Sequence, residues 1–172
     1  MRAEPFRSTI SADVLRVTQP GTNWLSTGWG GGYDRADTAY NITVPEGWSR
    51  TDLAAYAAER RTEAGFDDTG PTLLTGVEQQ HASGARLGPV VAYATAGVSN
   101  PAALPMQTVE PPTHPVSDSR WHPGTVNLIV GTTHRLTQGG LATLLAAVVE
   151  AKAATLTAET GFTGTTSDAV VV

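Results

Sequence analysis

Cysteine is absent from all 172 residues, which excludes disulfides, thiolate metal sites and a cysteine nucleophile. Lysine is almost as scarce, with ten arginines standing beside the single Lys152. No uninterrupted run of eighteen apolar residues occurs, and residues 1–7 are not followed by the apolar core of a signal sequence. The expectation is a soluble, cytoplasmic protein with no membrane partner. A clustered positive field is also lacking, since the net charge is −5 and the isoelectric point about 5.2. Nucleic acid is therefore not an expected partner, because gripping a phosphate backbone needs such a field.

What is present reads as one domain over residues 1–172, long enough to bury roughly 70% of the surface of its unfolded chain. Residues 13–18 alternate apolar and polar side chains and predict a strand with one wet face. Residues 22–27 predict a second strand, stopped by Gly28 and the Gly30-Gly31-Gly32 run, and residues 39–44 a third, closed by Pro45. Ser49 or Thr51 caps the helix that follows, with Leu53, Tyr56, Ala57 and Arg60 on one side and Gly65 at its end. Residues 71–77 and 88–95 are apolar runs of strand length, and their short separation predicts antiparallel pairing. Six of the eleven prolines fall between Pro101 and Pro123. That density predicts a surface segment rather than a second domain.

The last quarter is regular again. Residues 126–130 predict a buried strand, and Thr137 caps a long helix carrying Leu141, Leu144, Leu145, Val148, Val149 and Leu156 at helical spacing. Gly161 ends the helix and residues 169–172 begin another strand. The predicted fold class is α+β, a single domain of mainly antiparallel sheet with packed helices, in the version of an αββα-type sandwich by analogy.

Chemistry concentrates in Thr165-Thr166-Ser167-Asp168, where Gly161 and Gly164 free the backbone to present N–H groups. Without cysteine, a nucleophile here is Ser, Thr, or water activated by a carboxylate or metal. The plain alternative is a helix-to-strand turn in which Asp168 and the hydroxyls only satisfy backbone groups. Thr125 opens the 126–130 strand directly after Gly124, and Asn127 shares its sheet face two residues on. Threonine also starts strands without any catalytic role. An asparagine among Val126, Leu128, Ile129 and Val130 needs partners if buried, and a substrate amide would supply one. Lys152 lies on the apolar side of the long helix, where it either snorkels to solvent or aims at the 165–168 turn to donate a proton or hold an anion. Trp29 and Tyr33 bracket the glycine run, an arrangement that lets backbone approach a ligand while rings cover it; a flexible hairpin tip reads the same way. Glu78 and His81 would share one helical face, but neither flank supports a helix; His114, His122 and His134 sit at loop spacings unlike any zinc signature, and no metal is called for. His122, beside Trp121 and close to Gly124, is a candidate proton shuttle.

Four stretches add to this reading in a fixed order: Trp24-Leu-Ser-Thr-Gly-Trp-Gly-Gly-Gly, Ala39-Tyr-Asn-Ile-Thr-Val-Pro, Ala94-Thr-Ala-Gly-Val-Ser-Asn-Pro-Ala, and the strand–helix–turn–strand unit from Gly124 to Val172. Together they resemble the adenosylcobinamide amidohydrolase family. The resemblance implies an enzyme that hydrolyses the amide linking aminopropanol to the corrin ring of adenosylcobinamide, giving adenosylcobyric acid for cobamide salvage. The corrinoid is then the substrate and no cofactor is implied. Catalysis would rest on Asp168, Ser167, Thr166, Thr125 and Lys152, and substrate binding on Trp29, Gly30, Gly31, Asn41, Asn100 and Asn127. Members of the family generally continue past Val172, which implies a truncated C-terminus. Two other readings stay open: a corrinoid-binding protein without catalysis, and a self-cleaving amidase or aminopeptidase with Thr125 as nucleophile. The second rests on Gly124-Thr125 before an apolar strand, which is similar to the ornithine-acetyltransferase type. A homo-oligomer is compatible with all three.

Overall fold

A computed structural model describes residues 5–99, 101–102 and 124–172. Asn100, His114, Trp121, His122 and the body of the proline-rich segment lie outside the described residues. Strand β1 (Arg7–Ser11) turns through Ala12 and Asp13, both at positive φ, into the long β2 (Val14–Ser26), which pairs antiparallel with β3 (Gly32–Thr43). β2 fuses the two strands expected over 13–18 and 22–27. Between them the register moves from Thr18↔Thr38 to Thr22↔Ala36, so residues 19–21 face Asp37 alone. Extra residues on one strand force a bend. Asp37 fixes it by accepting the Gly21 N–H at 2.6 Å, with Gly21 at φ +66°.

Helix α1 (Leu53–Glu63) buries Tyr56 and Ala57, on the face the sequence marks. Its start differs from the Ser49 or Thr51 cap expected above. The cap position is Asp52, which makes no capping bond because Arg50 donates to both of its carboxylate oxygens, at 2.9 and 2.6 Å. The remaining elements are β4 (Thr72–Thr75), a 3-10 turn at Gln79–His81, β5 (Ser83–Leu87), β6 (Val90–Ala96), β7 (Pro101–Ala102), β8 (Val126–Thr132), α2 (Gln138–Thr160), β9 (Gly164–Thr165) and β10 (Ala169–Val171).

The main sheet runs β4-β3-β2-β10-β8-β6-β5, with β1 added on β2, and β7 pairs with β9 apart from it. Two pairs are parallel, β3 with β4 and β8 with β10, and each is bridged by a helix. Parallel neighbours need such a crossover. This corrects the expected antiparallel pairing of the 71–77 and 88–95 runs. α1 carries the chain back so that β4 lies beside β3, while β6 pairs with β5 and β8. β5 carries no burial pattern to read, since all five of its residues are exposed.

Three apolar clusters show how the bent sheet is layered. Leu15, Val17, Trp24, Ala39, Leu73, Val91, Ile129 and Val171 meet inside the bend. Val14, Tyr40 and Ile42 face outward onto α1, and Val130, Val170 and Val172 face outward onto α2. The order is helix, half-sheet, half-sheet, helix, an αββα-type layering made from one continuous bent sheet.

Thr137 caps α2 by accepting the Gly140 N–H at 3.1 Å, and Gly161 ends it at φ +79°. Leu141 is buried and Leu144, Leu145 and Val148 pack beside it, whereas Val149 turns outward at 39% exposure. By length and composition alone α2 is apolar enough to cross a membrane. Here its leucine–valine stripe is spent on the outer face of β8 and β10.

Phe6 plugs the inside of the bend at positive φ, edge-on to Trp24 at 6.0 Å, with its carbonyl accepting the Tyr93 hydroxyl at 2.5 Å. A side chain on Gly131 would begin 2.4–2.6 Å from the Phe6 ring. Gly131→Ala is expected to lower stability by about 1–3 kcal/mol, the usual cost of overpacking, read from urea unfolding midpoints. An unchanged midpoint would mean that Phe6 is free to leave.

Candidate functional site

Four chain segments converge at one end of the sheet. β6 finishes where β8 begins, with Ala96 opposite Val126 and the Gly97 N–H donated to the Thr125 carbonyl at 3.1 Å. β10 begins beside them, with Ala169 opposite Asn127. The end of β2 closes the group, since Thr27 N–H donates to the Val170 carbonyl at 2.9 Å and Thr27 Oγ1 accepts the Val170 N–H at 2.9 Å. The loop 27–31 that carries Trp29 therefore leaves from this same end.

Alternation along the strands sorts the side chains onto two faces. Asp168 falls on the α2 side with Val170. Its carboxylate accepts from Val126 N–H at 2.9 Å, Thr165 N–H at 3.1 Å, the Thr165 hydroxyl and the Lys152 ammonium. Lys152 and Asp168 side chains are only 11% and 10% exposed. Residue 164 must be glycine for this pair to form, because a Cβ there would stand 2.5 Å from Asp168 Oδ2 and 2.9 Å from Lys152 Nζ. Burial by itself raises the Asp168 carboxyl, but the donors from Lys152, Thr165 and Val126 outweigh it and hold the group below the ordinary carboxylate value. Asp168 is thus a charged, fully engaged acceptor that ties α2, the 165–168 turn and the start of β8 together.

On the opposite, inner face, Thr125 Oγ1 and Ser167 Oγ share a hydrogen bond of 2.8 Å. Thr125 is buried and Ser167 is exposed, so Ser167 is the hydroxyl that an incoming molecule meets first. Thr166 is exposed on the same turn. Deeper on this face, Asn127 donates through Nδ2 to Asn41 Oδ1 at 2.8 Å and to the Leu74 carbonyl at 2.9 Å, and Asn41 Nδ2 donates to Thr95 Oγ1 at 2.9 Å. Asn41, Thr95 and Asn127 are all buried, and Asn127 Oδ1 has no hydrogen-bond partner among the described residues. A buried acceptor left unpaired is costly, and a guest N–H would relieve it.

Of the residues picked from sequence as catalytic, the fold brings together two pairs on opposite faces, Thr125 with Ser167 and Lys152 with Asp168, with Thr166 on the same turn. Asn41 and Asn127 are bonded to each other. Trp29 projects at 44% exposure from a loop held tightly by Gly30 at φ +63° and by Gly31, whose N–H donates to the Gly28 carbonyl at 2.9 Å. Asn100 lies outside the described residues. Thr95 was not picked, although a lone hydroxyl between Ala94 and Ala96 on an apolar strand is the same kind of signal as Asn127. Gln79, fully buried with its Oε1 unpartnered and its amide donated to Thr43 Oγ1 at 3.2 Å, gave no such signal because it sits in a polar run.

An exposed and a buried hydroxyl thus meet near a clamped ion pair, with buried amides beneath. The family profile described as adenosylcobinamide amidohydrolase matches residues 2–172. The chain belongs to that family and is an amidohydrolase. A curated relative from Halobacterium salinarum, named adenosylcobinamide amidohydrolase, is 53% identical over 170 residues, covering 97% of this chain and 72% of the relative. A relative of the same name from Methanosarcina mazei is 29% identical over 149 residues, covering 86% of this chain and 67% of its own length. No solved structure matches the chain.

The ion pair makes stability depend on pH. Asp168 is depressed in the folded state, so its contribution is fully present above the unfolded value of about 3.9 and is lost as pH falls through the lower folded value. Asp168→Asn leaves the Lys152 ammonium uncompensated and is expected to cost about 3 kcal/mol at neutral pH. Denaturation of both proteins between pH 6 and 2 should show the gap narrowing toward the acid end. A gap that is constant with pH would mean that the pair is not what holds the turn.

Proposed function

We infer that the chain hydrolyses the amide joining aminopropanol to the corrin ring of adenosylcobinamide, releasing adenosylcobyric acid for salvage in the cytoplasm. The observation that carries this reading is the Thr125–Ser167 hydroxyl pair at 2.8 Å, set on the inner face where four segments converge. Family membership and the names of the two relatives support the substrate.

In this reading Ser167 meets the substrate carbonyl and Thr125 orients its hydroxyl from beneath. Asp168 and Lys152 act one step back. The carboxylate has no vacant role as a base while it accepts four donors, so its work is to fix the turn on which Ser167 stands. Lys152, the sole lysine, is paired to that carboxylate and so holds α2 against the turn. Asn127 and Asn41, bonded to each other and closed off from solvent, form the buried support beneath the Thr125–Ser167 pair. Trp29 and the backbone of Gly30 and Gly31 form the outer wall against which a broad, largely apolar ring system lies.

Incubation with adenosylcobinamide, followed by mass detection of aminopropanol and adenosylcobyric acid, tests the reaction directly. Ser167→Ala should lower kcat on the order of 10²–10⁴-fold with little change in KM, while retaining its fold. Turnover near the wild-type level in a folded Ser167→Ala protein would remove Ser167 from the chemistry.

A further inference from the structure

At the other end of β8, roughly 20 Å from Thr125 by strand rise, lies a cavity of about 640 Å³ that the hydrolytic reading does not use. This is the size range of small-molecule sites. Its wall is contributed by the β2 bend, β3, the loop after β8 and the first turns of α2. Two guanidinium groups line it, Arg35 from β3 and Arg135 from the loop, with His134 between them in the chain and Leu136 and Leu144 on the apolar side.

The charge there is unbalanced. No aspartate or glutamate is among the residues lining the cavity; the carboxylate bonded to its wall is Asp37, which is engaged by the N–H of the lining residue Gly21 at 2.6 Å, so two guanidinium groups stand against one carboxylate. Arg16, Arg50 and Arg60 each have a carboxylate partner. Arg35 and Arg135 have none among the described residues, and both are exposed. Two unpaired arginines brought to one cavity from elements a hundred positions apart favour a bidentate anion, and planar guanidinium forks match phosphate oxygens well. The volume exceeds that of a bare phosphate, and the leucines offer cover to an organic body.

We propose that this cavity binds a small organic phosphate, with the phosphate between Arg35 and Arg135 and the organic part against Leu136 and Leu144. The site is separate from the Thr125–Ser167 pair and holds whether or not the corrinoid reading is correct.

Calorimetric titration with AMP, adenosine and inorganic phosphate tests it, using the wild-type chain, Arg35→Gln/Arg135→Gln and Ser167→Ala. AMP should bind saturably to the wild-type and Ser167→Ala proteins alike. Adenosine and inorganic phosphate should each bind at least tenfold more weakly than AMP. The double arginine variant should lose tenfold or more in AMP affinity, while its release of aminopropanol without AMP stays at the wild-type rate. Equal binding of AMP and adenosine would overturn the proposal, as would equal binding of AMP and phosphate or an arginine variant that binds as the wild type does. Loss of AMP binding in Ser167→Ala would place the nucleotide in the hydrolytic site and overturn it too.

Discussion

The bond between Lys152 and Asp168 is the point on which three independent pieces of the chain are fixed. Through Asp168 it reaches Val126 at the start of β8 and Thr165 in the turn before β10, and through Lys152 it reaches the middle of α2. A charge this far from solvent is tolerated only when paired and hydrogen-bonded. The carboxylate meets that condition with two backbone donors, one hydroxyl and one ammonium. Because Asp168 and Ser167 are adjacent and point to opposite faces of the strand, fixing one fixes the other. The exposed Ser167 hydroxyl is placed by electrostatics on the α2 side of the sheet.

The second constraint is the bend in β2. One hairpin supplies Trp24 and Leu25 to the half of the sheet beneath α2, and Val14 and Leu15 to the half beneath α1. Only by folding over at residues 19–21 does it lay Asn41 across Asn127. The buried amide chain from Thr95 through Asn41 to Asn127 therefore depends on a local irregularity far from it in sequence.

Elements whose burial is one-sided and local were legible in the sequence. The Leu141–Val148 stripe, the Thr137 cap and the Gly161 stop all follow from helical periodicity and cap chemistry, and the 126–130 strand from its apolar run. β5 was not legible because a fully exposed edge strand leaves no alternation, and the partner of β4 was not because pairing depends on the α1 crossover rather than on sequence distance. The site shows the same division. Thr125, Ser167, Asp168 and Lys152 could be named from composition and placement, but not which face each occupies. That Asp168 reaches Lys152 on the helix while Ser167 reaches Thr125 is visible only once the turn, α2 and the start of β8 are brought together. Thr95 and Gln79 acquire meaning only when a bend brings distant strands together.

β4 is the terminal strand of the main sheet, yet Thr72, Leu73 and Thr75 on it are buried, so its outer edge is covered within the molecule. The Asn127 side chain is part of that cover, since its Nδ2 occupies the Leu74 carbonyl from within the same molecule. One amide thus closes the edge of the sheet at Leu74 and continues the buried chain through Asn41 to Thr95, so the outer rim and the interior are tied at a single side chain.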